Sequence, residues 1–376
     1  MNRCQLLLGS TLMLMGCPSG AVSLDQKSVD ELLSSLGADN QYDPAKGINW
    51  SVLPGPFYTP ELKLGLGMAV AGLYRVDPHD NRTQNSSLSF TGFISASGAL
   101  GIGVNNYTFF TEDRWRLFVD GAITKVPTGF WGIGYDAAQG SAQDYTNNSV
   151  RLRPVLMREV VDNFYIGAGW DFSSMQASVD SPHAGDRFSH YDASTSPLSS
   201  GVTVSVNYDS RDVVTRPEHG QFFKAEYTWF DPSVGSDSHF TATELQYNYY
   251  HLLNEKAVLA FDLWGRFTHG DVPWDMLSMA GDDRRLRGYY QGRYRDNDVV
   301  SGQVEYRRKL NWRHGYVVWL GAGALGSDMG DLGHHPLLPT AGVGYRFEVK
   351  PAMNIRLDLG FGKGSAGFYF QVAEAF

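Results

Sequence analysis

Apolar and polar side chains alternate with a period of two residues along most of this chain. In residues 353–361, MNIRLDLGF, every odd position is apolar, whereas Arg356 and Asp358 stand at even positions. Such charges are unexpected in the core of a soluble β-sandwich. They suit a membrane barrel whose apolar face meets lipid and whose polar face lines a lumen. The alternation recurs in residues 202–209, 221–229, 257–263, 300–307 and 341–349.

Sixteen alternating segments predict an all-β fold, a transmembrane antiparallel β-barrel of about 16 strands. An even number of strands is what single-chain bacterial barrels have. The segments are residues 63–74, 86–97, 99–110, 113–124, 128–137, 145–157, 163–177, 200–209, 219–231, 238–251, 255–268, 298–309, 315–325, 338–349, 352–361 and 366–376. The alternative fold is a soluble all-β protein with half-buried sheets.

The lengths of the connections indicate how the barrel is oriented. Long polar connections follow odd-numbered segments at residues 75–85, 178–199 and 269–297, whereas even-numbered segments are mostly followed by short turns. Outer-membrane barrels have long loops outside the cell and short turns in the periplasm. We therefore expect these three connections to be extracellular.

The start of the chain has the features of a secretory signal peptide. Arg3 supplies a positive charge, residues 6–15 form a short apolar core, and residues 21–23, AVS, resemble a cleavage site. Lipidation at Cys17 is the alternative route of processing. Cys4 and Cys17 are the two cysteines of the chain, so we expect the mature protein to hold no disulfide and no thiolate metal site.

We predict three parts along the chain: a signal peptide at residues 1–23, a short periplasmic lead-in at residues 24–60, and an outer-membrane β-barrel at residues 61–376. Three prolines near the end of the lead-in favour an extended segment there. After residue 23 the sequence contains no run of 18 apolar residues, so no helical membrane span is predicted.

Charge and motif content argue against several classes of function. The chain has 31 Lys+Arg and 40 Asp+Glu residues, and this acidic balance does not fit a nucleic-acid-binding protein. His334, His335 and the pair His269 and Asp271 fall in predicted external loops, but neither a G-x-S-x-G nor an H-E-x-x-H motif is present. We therefore expect no enzymatic activity, no cofactor and no metal site.

The longest predicted loop contains residues 281–297, GDDRRLRGYYQGRYRDN, with five arginines. Within it stands the tripeptide Arg287-Gly288-Tyr289, followed on the next segment by Glu305-Tyr306-Arg307. With these motifs the sequence resembles the BamA/TamA family of outer-membrane barrels, the bacterial surface antigen family. The resemblance covers residues 61–376, the barrel alone, and we expect the POTRA domains of that family to be lacking.

The resemblance implies that this loop folds back into the barrel lumen, where its arginine pairs with acidic side chains of the inner wall. A guanidinium in a confined polar interior favours a bidentate carboxylate, which makes Glu305 the preferred partner of Arg287. The other candidate lumenal residues are Arg307, Glu348 and Asp358. This chain has Gly321 about where many family members carry an acidic residue. The alternative is a solvated surface loop.

Two residues beside Arg287 have their own expected roles. Gly288 permits close backbone approach or a positive φ angle, and Tyr289 can pack flat while its hydroxyl stays hydrogen-bonded.

A second stretch that resembles the family lies in the turn between segments 8 and 9. Its residues are Asp209, Arg211, Asp212, Pro217 and Gly220. One interpretation is a role specific to the family. The other is a periplasmic turn stabilised by local hydrogen bonds of its aspartates.

The family resemblance also implies a function. First and last strands that pair weakly would form a lateral seam, whose edge can template an incoming strand. Gly65 and Gly67 weaken pairing of the predicted first strand, and Phe376 is the terminal aromatic of the predicted last strand. We expect assistance in the insertion, assembly or translocation of proteins at the outer membrane. The expected partners are outer-membrane lipid, unfolded outer-membrane proteins or a separate periplasmic protein.

Two alternative functions remain open at the level of the sequence. One is an outer-membrane pore gated by an inward-folded loop 269–297. The other is a structural barrel that docks a periplasmic partner through residues 24–60.

Overall fold

The computed structural model describes residues 31, 34–37, 42–43, 47–80, 83–179, 187–191, 193–311, 313–350 and 353–376. The predicted signal peptide, with both cysteines, lies outside the described residues. Within these described ranges, no helix is long and apolar enough to cross a membrane.

Sixteen antiparallel strands close into a barrel, and the predicted fold class is confirmed. The barrel strands are β1 (Asn49–Thr59), β2 (Lys63–Tyr74), β3 (Ser86–Ser95), β4 (Leu100–Phe109), β5 (Trp115–Phe130), β6 (Gln143–Val161), β7 (Phe164–Ser178), β8 (Leu198–Asp209), β9 (Gly220–Phe230), β10 (Phe240–Asn254), β11 (Ala257–Gly270), β14 (Asp298–Lys309), β15 (His314–Gly326), β16 (Leu338–Lys350), β17 (Met353–Gly362) and β18 (Ser365–Val372). Two short strands, β12 (Ser278–Met279) and β13 (Arg295–Asp296), pair with each other in the connection between β11 and β14.

The alternation of side chains sorts the strands into an apolar outer face and a polar inner face. On β16 and β17, Val343 and Phe361 are exposed, whereas Arg346 and Asp358 are buried. This arrangement is the reverse of a soluble core and matches a barrel wall that meets lipid. The outer face therefore supplies the apolar surface, and the inner face supplies the charges from which a site can be built.

The first strand, β1, lies in the segment that the sequence predicted to be a periplasmic lead-in, so the predicted boundary at residue 60 is wrong. This strand pairs with β2 over its whole length. Its prolines, Pro54 and Pro56, favoured an extended lead-in in the sequence. A strand accommodates proline where the missing N–H faces an edge that is not fully paired.

A second difference concerns β5, which the sequence divided into segments 113–124 and 128–137. The structure has one strand there, and Pro127 lies within it opposite Thr146. Because β1 was missed and β5 was counted as two segments, the predicted total of sixteen strands is still right. The side of the membrane predicted for residues 75–85 is not, because β2 and β11 point in opposite directions and the connections after them lie at opposite ends of the barrel. The prediction that 75–85 lies on the same side as the loop after β11 is therefore wrong.

The connections define two ends of the barrel. The long-loop end carries the long connections 131–142, 179–197, 231–239, 271–297 and 327–337. The short-turn end carries the connections 75–85, 110–114, 162–163, 210–219, 255–256 and 310–313. The asymmetry usual in outer-membrane barrels predicts that the long-loop end is extracellular and the short-turn end periplasmic.

The barrel closes between β1 and β18 through one register pair among the described residues, Tyr58 with Phe368. Closer to the short-turn end, the N–H of Val52 donates instead to the carbonyl oxygen of Leu36 at 2.9 Å. Successive residues of a strand direct their N–H groups to alternate edges. Pro54 and Pro56 therefore occupy positions whose N–H groups would face β18, so this edge of β1 lacks two hydrogen-bond donors. We call the junction of β1 and β18 the seam.

The residues predicted to belong to the seam lie elsewhere. Gly65 and Gly67 are on β2, where they pair with Phe57 and Gly55 of β1. Phe376 lies beyond the end of β18 and is buried at the short-turn end. The sequence misplaced the glycines because it took β2 to be the first strand.

Residues 373–376 turn away from the line of β18. Ala373 has a φ angle of 71°, a conformation that a residue with a side chain seldom adopts. Beyond it, the carbonyl oxygen of Phe376 accepts a hydrogen bond from Arg307 Nη2 at 2.9 Å, and its ring packs near Tyr250. Phe376 thus contacts the inner faces of β10 and β14 instead of extending the last strand.

Candidate functional site

The connection between β11 and β14, residues 271–297, begins in an aromatic cluster at the long-loop end. Trp274 packs against Phe130 with ring centroids 4.8 Å apart, and against Phe188 at 5.2 Å. The pairing of β12 with β13 then joins the two arms of the loop. These contacts fix the outer part of the loop, and residues 281–289 extend from it to the inner face of the wall.

Arg287 lies among side chains of three strands, β14, β15 and β17. It is fully buried, and its Nη1 donates to Asp358 Oδ2 at 2.5 Å. Its Nη2 donates to Glu305 and to Gln303 Oε1, the latter at 3.1 Å. The guanidinium carbon lies 3.6 Å from the centroid of the Trp319 ring. The structure thus brings Arg287 together with two of the candidate carboxylates, including the preferred one.

Gly288 and Tyr289 lie against the backbone of β17. Gly288 has a φ angle of 103°, and a Cβ atom there would come within 2.6 Å of the Gly362 nitrogen. Its N–H donates to the Tyr369 hydroxyl at 2.8 Å. The Tyr289 ring covers Gly362, and its hydroxyl donates to the Pro339 carbonyl at 2.8 Å. Only glycine fits at position 288, because both the backbone conformation and the space exclude a side chain.

The docking surface on β17 was missed at the level of the sequence. Asp358, Gly360 and Gly362 occupy successive inward positions of this strand. A Cβ atom at Gly360 would come within 2.9 Å of Arg287. The signal was present in LDLGFG as a carboxylate followed by alternate glycines, which leave room for another backbone.

Two further ion pairs of the loop were also missed. Arg285 donates to both carboxylate oxygens of Asp262 on β11, at 2.8 and 3.0 Å. Asp283 pairs with Arg356 on β17 at 2.9 Å. The sequence could have indicated these pairs, because Asp262 and Arg356 each place a charge at an inward position of a strand whose outward positions are apolar.

The remaining candidate partners have different neighbours. Arg307 donates to Glu305 Oε2 at 2.9 Å, so that Glu305 is shared with Arg287. Glu348 is bonded to Arg216, and Lys309 lies 3.9 Å away. Among the described contacts Glu348 does not meet Arg287, and this candidate pairing is therefore corrected. Glu348 sits near the short-turn end of β16, too far along the strand to reach the loop.

The departure at Gly321 has a local explanation. Gly321 pairs with Gln303 of β14, and a Cβ atom at position 321 would lie 2.8 Å from the Gln303 side chain. Two residues earlier, Trp319 presents its ring to the Arg287 guanidinium. An aromatic face therefore supplies a cation–π contact to the arginine.

The turn motif between β8 and β9 makes both local and distant contacts. Asp209 accepts two hydrogen bonds from Arg211, at 2.8 and 2.9 Å, and one from Arg116 Nη1 at 2.6 Å. Because Arg116 belongs to β5, this pair ties the turn to a distant part of the wall.

The rest of the motif is local. Asp212 Oδ1 accepts from the backbone N–H groups of Glu218 and His219, at 3.0 and 3.4 Å. Pro217 lies within this connection, and Gly220 opens β9 with a φ angle of 101°. An Asx-type bond is present at Asp209, whose Oδ1 accepts from the N–H of Arg211 at 3.3 Å, so local hydrogen bonds of the aspartates occur alongside the Asp209–Arg116 pair.

Asp275 is an ionisable group in the outer part of the loop. Burial raises the pKa of its carboxyl group from 3.8 to about 6, although Arg151 and Arg295 act in the opposite direction. Its Oδ1 atom is buried and has no hydrogen-bond partner within the part of the chain that the structure describes. The loop therefore contains a group that titrates near neutral pH.

Comparison with protein families gives a match to the Omp85 superfamily domain over residues 80–376. The chain belongs to the Omp85 superfamily. This membership confirms the resemblance drawn from the loop and strand motifs. It places the chain among the β-barrels of the Gram-negative outer membrane. Comparison with curated proteins gave no match.

Solved structures of Omp85-type barrels share the fold. The chain is similar to BamA from Haemophilus ducreyi lacking POTRA domains 1–3, with a TM-score of 0.51 and 16% identity, covering 86% of this chain and 70% of that one. It is also similar to CdiB from Acinetobacter baumannii, with a TM-score of 0.57 and 12% identity, covering 86% and 59%. CdiB from Escherichia coli gives a TM-score of 0.57 at 10% identity, covering 90% and 67%. At these identities the likeness concerns the fold.

Proposed function

We propose that this Omp85 barrel assists the insertion, assembly or translocation of proteins at the outer membrane through its seam. The observation that carries the proposal is the single register pair between β1 and β18 in the described chain. Backbone groups left unpaired along a strand edge can template an incoming strand by β-augmentation. Superfamily membership supports a role in the insertion or secretion of outer-membrane proteins.

The chemistry of β1 supports a seam that opens at low cost. Pro54 and Pro56 remove two donors from the edge that faces β18, and Val52 bonds to Leu36 instead. Few hydrogen bonds then have to break before a client strand can reach this edge. Side-chain packing, such as the ring of Phe370 against Gly55, holds much of the remaining junction.

The proposed clients are unfolded outer-membrane proteins, and the surrounding lipid contacts the apolar outer face. A separate periplasmic protein is a proposed partner at the short-turn end. Loop 281–289 braces the wall next to the seam, because it joins β11 and β14 to β17, the neighbour of β18. We assign this bracing role to the Arg287-Gly288-Tyr289 motif.

The test is a disulfide across the seam. Tyr58→Cys and Phe368→Cys replace facing residues, and the two native cysteines lie in the predicted signal peptide. The mature double variant is reconstituted in liposomes, and the folding of a small unfolded outer-membrane protein is timed before and after reduction. We expect acceleration over empty liposomes only after the seam disulfide is reduced.

The matched control keeps one of the two cysteines. Leu359→Cys with Phe368→Cys joins β17 to β18, which remain paired whether or not the seam opens. This variant should accelerate client folding equally in its oxidised and reduced forms. Equal acceleration by the oxidised and reduced seam variant would exclude a lateral seam as the route.

A second candidate function is a pore that the loop gates. A cavity of about 330 Å³ lies between Asp283, Arg284 and Arg285 of the loop and polar side chains of the opposite wall, such as Asp120 and Lys224. A polar interior of this kind favours water and ions once the loop moves. Conductance across a planar bilayer distinguishes the pore from the seam, since the seam disulfide leaves the pore route intact.

A further inference from the structure

The connection between β8 and β9, residues 210–219, crosses the short-turn mouth of the barrel. In the closed sheet β9 lies eight strands from β1 in either direction, so this hairpin starts opposite the seam. Its tip nevertheless contacts elements on the seam side of the barrel. We call residues 210–219 the strap.

Two backbone hydrogen bonds of the tip show how far the strap reaches. The N–H of Val214 donates to Gln84 Oε1 at 3.1 Å, within the connection between β2 and β3. The carbonyl oxygen of Thr215 accepts from the N–H of Glu374 at 3.2 Å, just beyond the end of β18. Both partners belong to elements near β1, so the strap extends over the mouth instead of following the rim.

The third contact of the tip is an ion pair. Arg216 is bonded to Glu348 of β16, which lies five strands from β9 along the wall. The side chain of Arg216 is 24% exposed, and Lys309 lies 3.9 Å from the same carboxylate oxygen. Water and salt therefore reach this pair and weaken it, and Glu348 keeps a cation nearby when Arg216 leaves.

The base of the strap is held more firmly than its tip. Arg116 of β5 donates to Asp209 at 2.6 Å, and these two side chains are only 4% and 2% exposed. Arg211 also donates to Asp209, at 2.8 Å, and the N–H of Asp212 donates to the carbonyl oxygen of His219 at 3.4 Å. A fixed base with a partly solvated tip is the geometry of an element that swings about its base.

The strap also borders the cavity of about 330 Å³ inside the barrel. Val214 and Thr215 line this cavity from the short-turn side, whereas Asp283 and Arg285 of the loop line it from the other side. The strap and the loop thus face each other across one cavity. A movement of the tip would connect the cavity with solvent at the short-turn end without any movement of the loop.

We propose that the strap is a gate at the short-turn mouth, which limits access to the lumen while Arg216 is bonded to Glu348 and swings aside when this pair separates. The gate admits polar solutes, because charged residues such as Lys224 and Glu244 line the cavity behind it. The proposal does not depend on the opening of the seam, since the strap lies on a different path.

The test is the chemical accessibility of the cavity. Ser89 lines it from β3, so Ser89→Cys reports the arrival of a thiol reagent, and the two native cysteines lie in the predicted signal peptide. The mature variant is placed in lipid nanodiscs, which leave both ends of the barrel in solvent. The rate of labelling by an uncharged maleimide with a short polyethylene glycol chain is then measured.

Two changes release the strap in the Ser89→Cys protein. Replacing residues 213–218 by the dipeptide Asn-Gly removes the tip and leaves a two-residue hairpin turn between β8 and β9. Arg216→Gln removes only the ion pair, so it remains informative if the shortened protein fails to fold. We expect about tenfold faster labelling with Arg216→Gln, from the loss of one charge-assisted hydrogen bond, and still faster labelling without the tip.

The experiment has two controls. Arg114→Gln breaks an exposed ion pair with Glu112 at the same end, outside the strap, and should leave the labelling rate of Ser89→Cys unchanged. Ser173→Cys is buried on the inner face of β7 and is not part of the cavity wall, so it reports on loosening of the whole barrel.

The outcomes separate a gate from a structural turn. Faster labelling at Ser89→Cys in the strap variants, without acceleration at Ser173→Cys, supports the gate. Equal acceleration at both positions would assign the effect to a loosened barrel and overturn the proposal. The proposal is also overturned if Ser89→Cys is labelled equally fast with the intact strap, with Arg216→Gln and with the shortened strap.

Discussion

At the scale of single residues, Arg287 connects the loop to the wall. Its guanidinium is fully buried and contacts Asp358, Glu305, Gln303 and the ring of Trp319. A buried ion pair of this kind contributes little net stability compared with apolar packing, and here Glu305 and Asp358 are also paired with Arg307 and Arg346. The residue therefore determines where the loop sits more than how stable the barrel is.

We predict that Arg287→Ala destabilises the barrel by about 1.5–3 kcal/mol, because Glu305 and Asp358 each lose one charged partner and keep Arg307 and Arg346. Arg287→Lys should recover only part of this loss, since an ammonium cannot reproduce the planar fork. The measurement is urea unfolding in lipid vesicles.

The control for this prediction is Arg114→Ala. Arg114 pairs with Glu112 on the surface, where its side chain is 71% exposed, so the cost should stay below about 1 kcal/mol. An Arg287→Ala protein as stable as the Arg114→Ala protein would contradict the bracing role.

A second prediction at this scale concerns pH and Asp275. The folded-state pKa of about 6 lies above the ordinary value of 3.8, so the folded loop binds the proton more tightly than the unfolded loop does. This contribution to stability is fully present below about pH 4 and is lost as the pH rises through about 6. The protection factors of residues 271–280, which correct hydrogen exchange for its intrinsic pH dependence, should therefore be lower at pH 7 than at pH 5.

Asp275→Asn tests the assignment of this pH dependence. The amide has a similar shape and does not titrate, so exchange in the variant should depend on pH only through its intrinsic chemistry. A variant that keeps the full dependence of the wild type would show that another group is responsible.

At the scale of structural elements, the seam depends on the composition of one strand. The register pair Tyr58 with Phe368 places Pro56 opposite Phe370 and Pro54 opposite Val372 if the ladder were continued. The two prolines prevent that continuation, since each lacks the N–H that a ladder needs. This is a common way for a protein to limit unwanted pairing at an edge.

We predict that Pro54→Val combined with Pro56→Val closes the seam. Two added hydrogen bonds, each contributing about 0.5–1.5 kcal/mol, should slow hydrogen exchange in β18 by roughly tenfold and slow client folding in liposomes. Pro127→Val is the control, because Pro127 lies in β5, far from the seam along the wall. Faster exchange in β18 of the double variant would contradict this account of the edge.

The elements also indicate how far the sequence could predict this structure. Period-two alternation located most strands correctly because lipid outside and charge inside impose it on each strand separately. It failed for β1, where Pro54 and Pro56 were taken as signs of an extended lead-in, and it divided β5 next to Pro127. A strand tolerates each of these prolines only where the missing N–H faces an edge that is not paired. The neighbouring strands decide which edge that is, so a single segment of sequence cannot show it.

The site was predictable in part for the same reason. The motif at Arg287 and the inward parity of Glu305 and Asp358 can be read from single strands. Whether Glu348 reaches Arg287 depends on its position along the barrel axis. The alternation of inward and outward residues does not specify that position. The glycines at 360 and 362 have meaning only once the loop is known to lie against them.

At the scale of the whole molecule, the loop and the wall form one connected polar interior. Ion pairs join the loop to β11, β14 and β17, whereas the opposite wall faces it across the cavity near Asp120 and Lys224. The described ion pairs of the loop are thus to one side of the wall, and a cavity of about 330 Å³ lies between the loop and part of the other side. Both the seam and the pore hypotheses depend on what this interior does when the loop moves.

We predict that deleting residues 275–296 raises the single-channel conductance in planar bilayers, because polar wall residues then face a wider aqueous path. Removing residues 328–336 from another connection of the long-loop end is the control and should change conductance little. Unaltered conductance after the first deletion would count against a gating role for the loop.

The position of Arg287 also has a consequence for the order of events during folding. The loop is bonded to Thr340, Asp358 and Tyr369, all of which come later in the chain than the loop itself. Its resting place therefore does not exist until β16, β17 and β18 have arrived. Such long-range contacts form slowly, because a large segment must be closed before they form. Docking of the loop and closure of the barrel by its last strands are therefore coupled steps, because neither the loop nor the inner face of β17 is complete without the other.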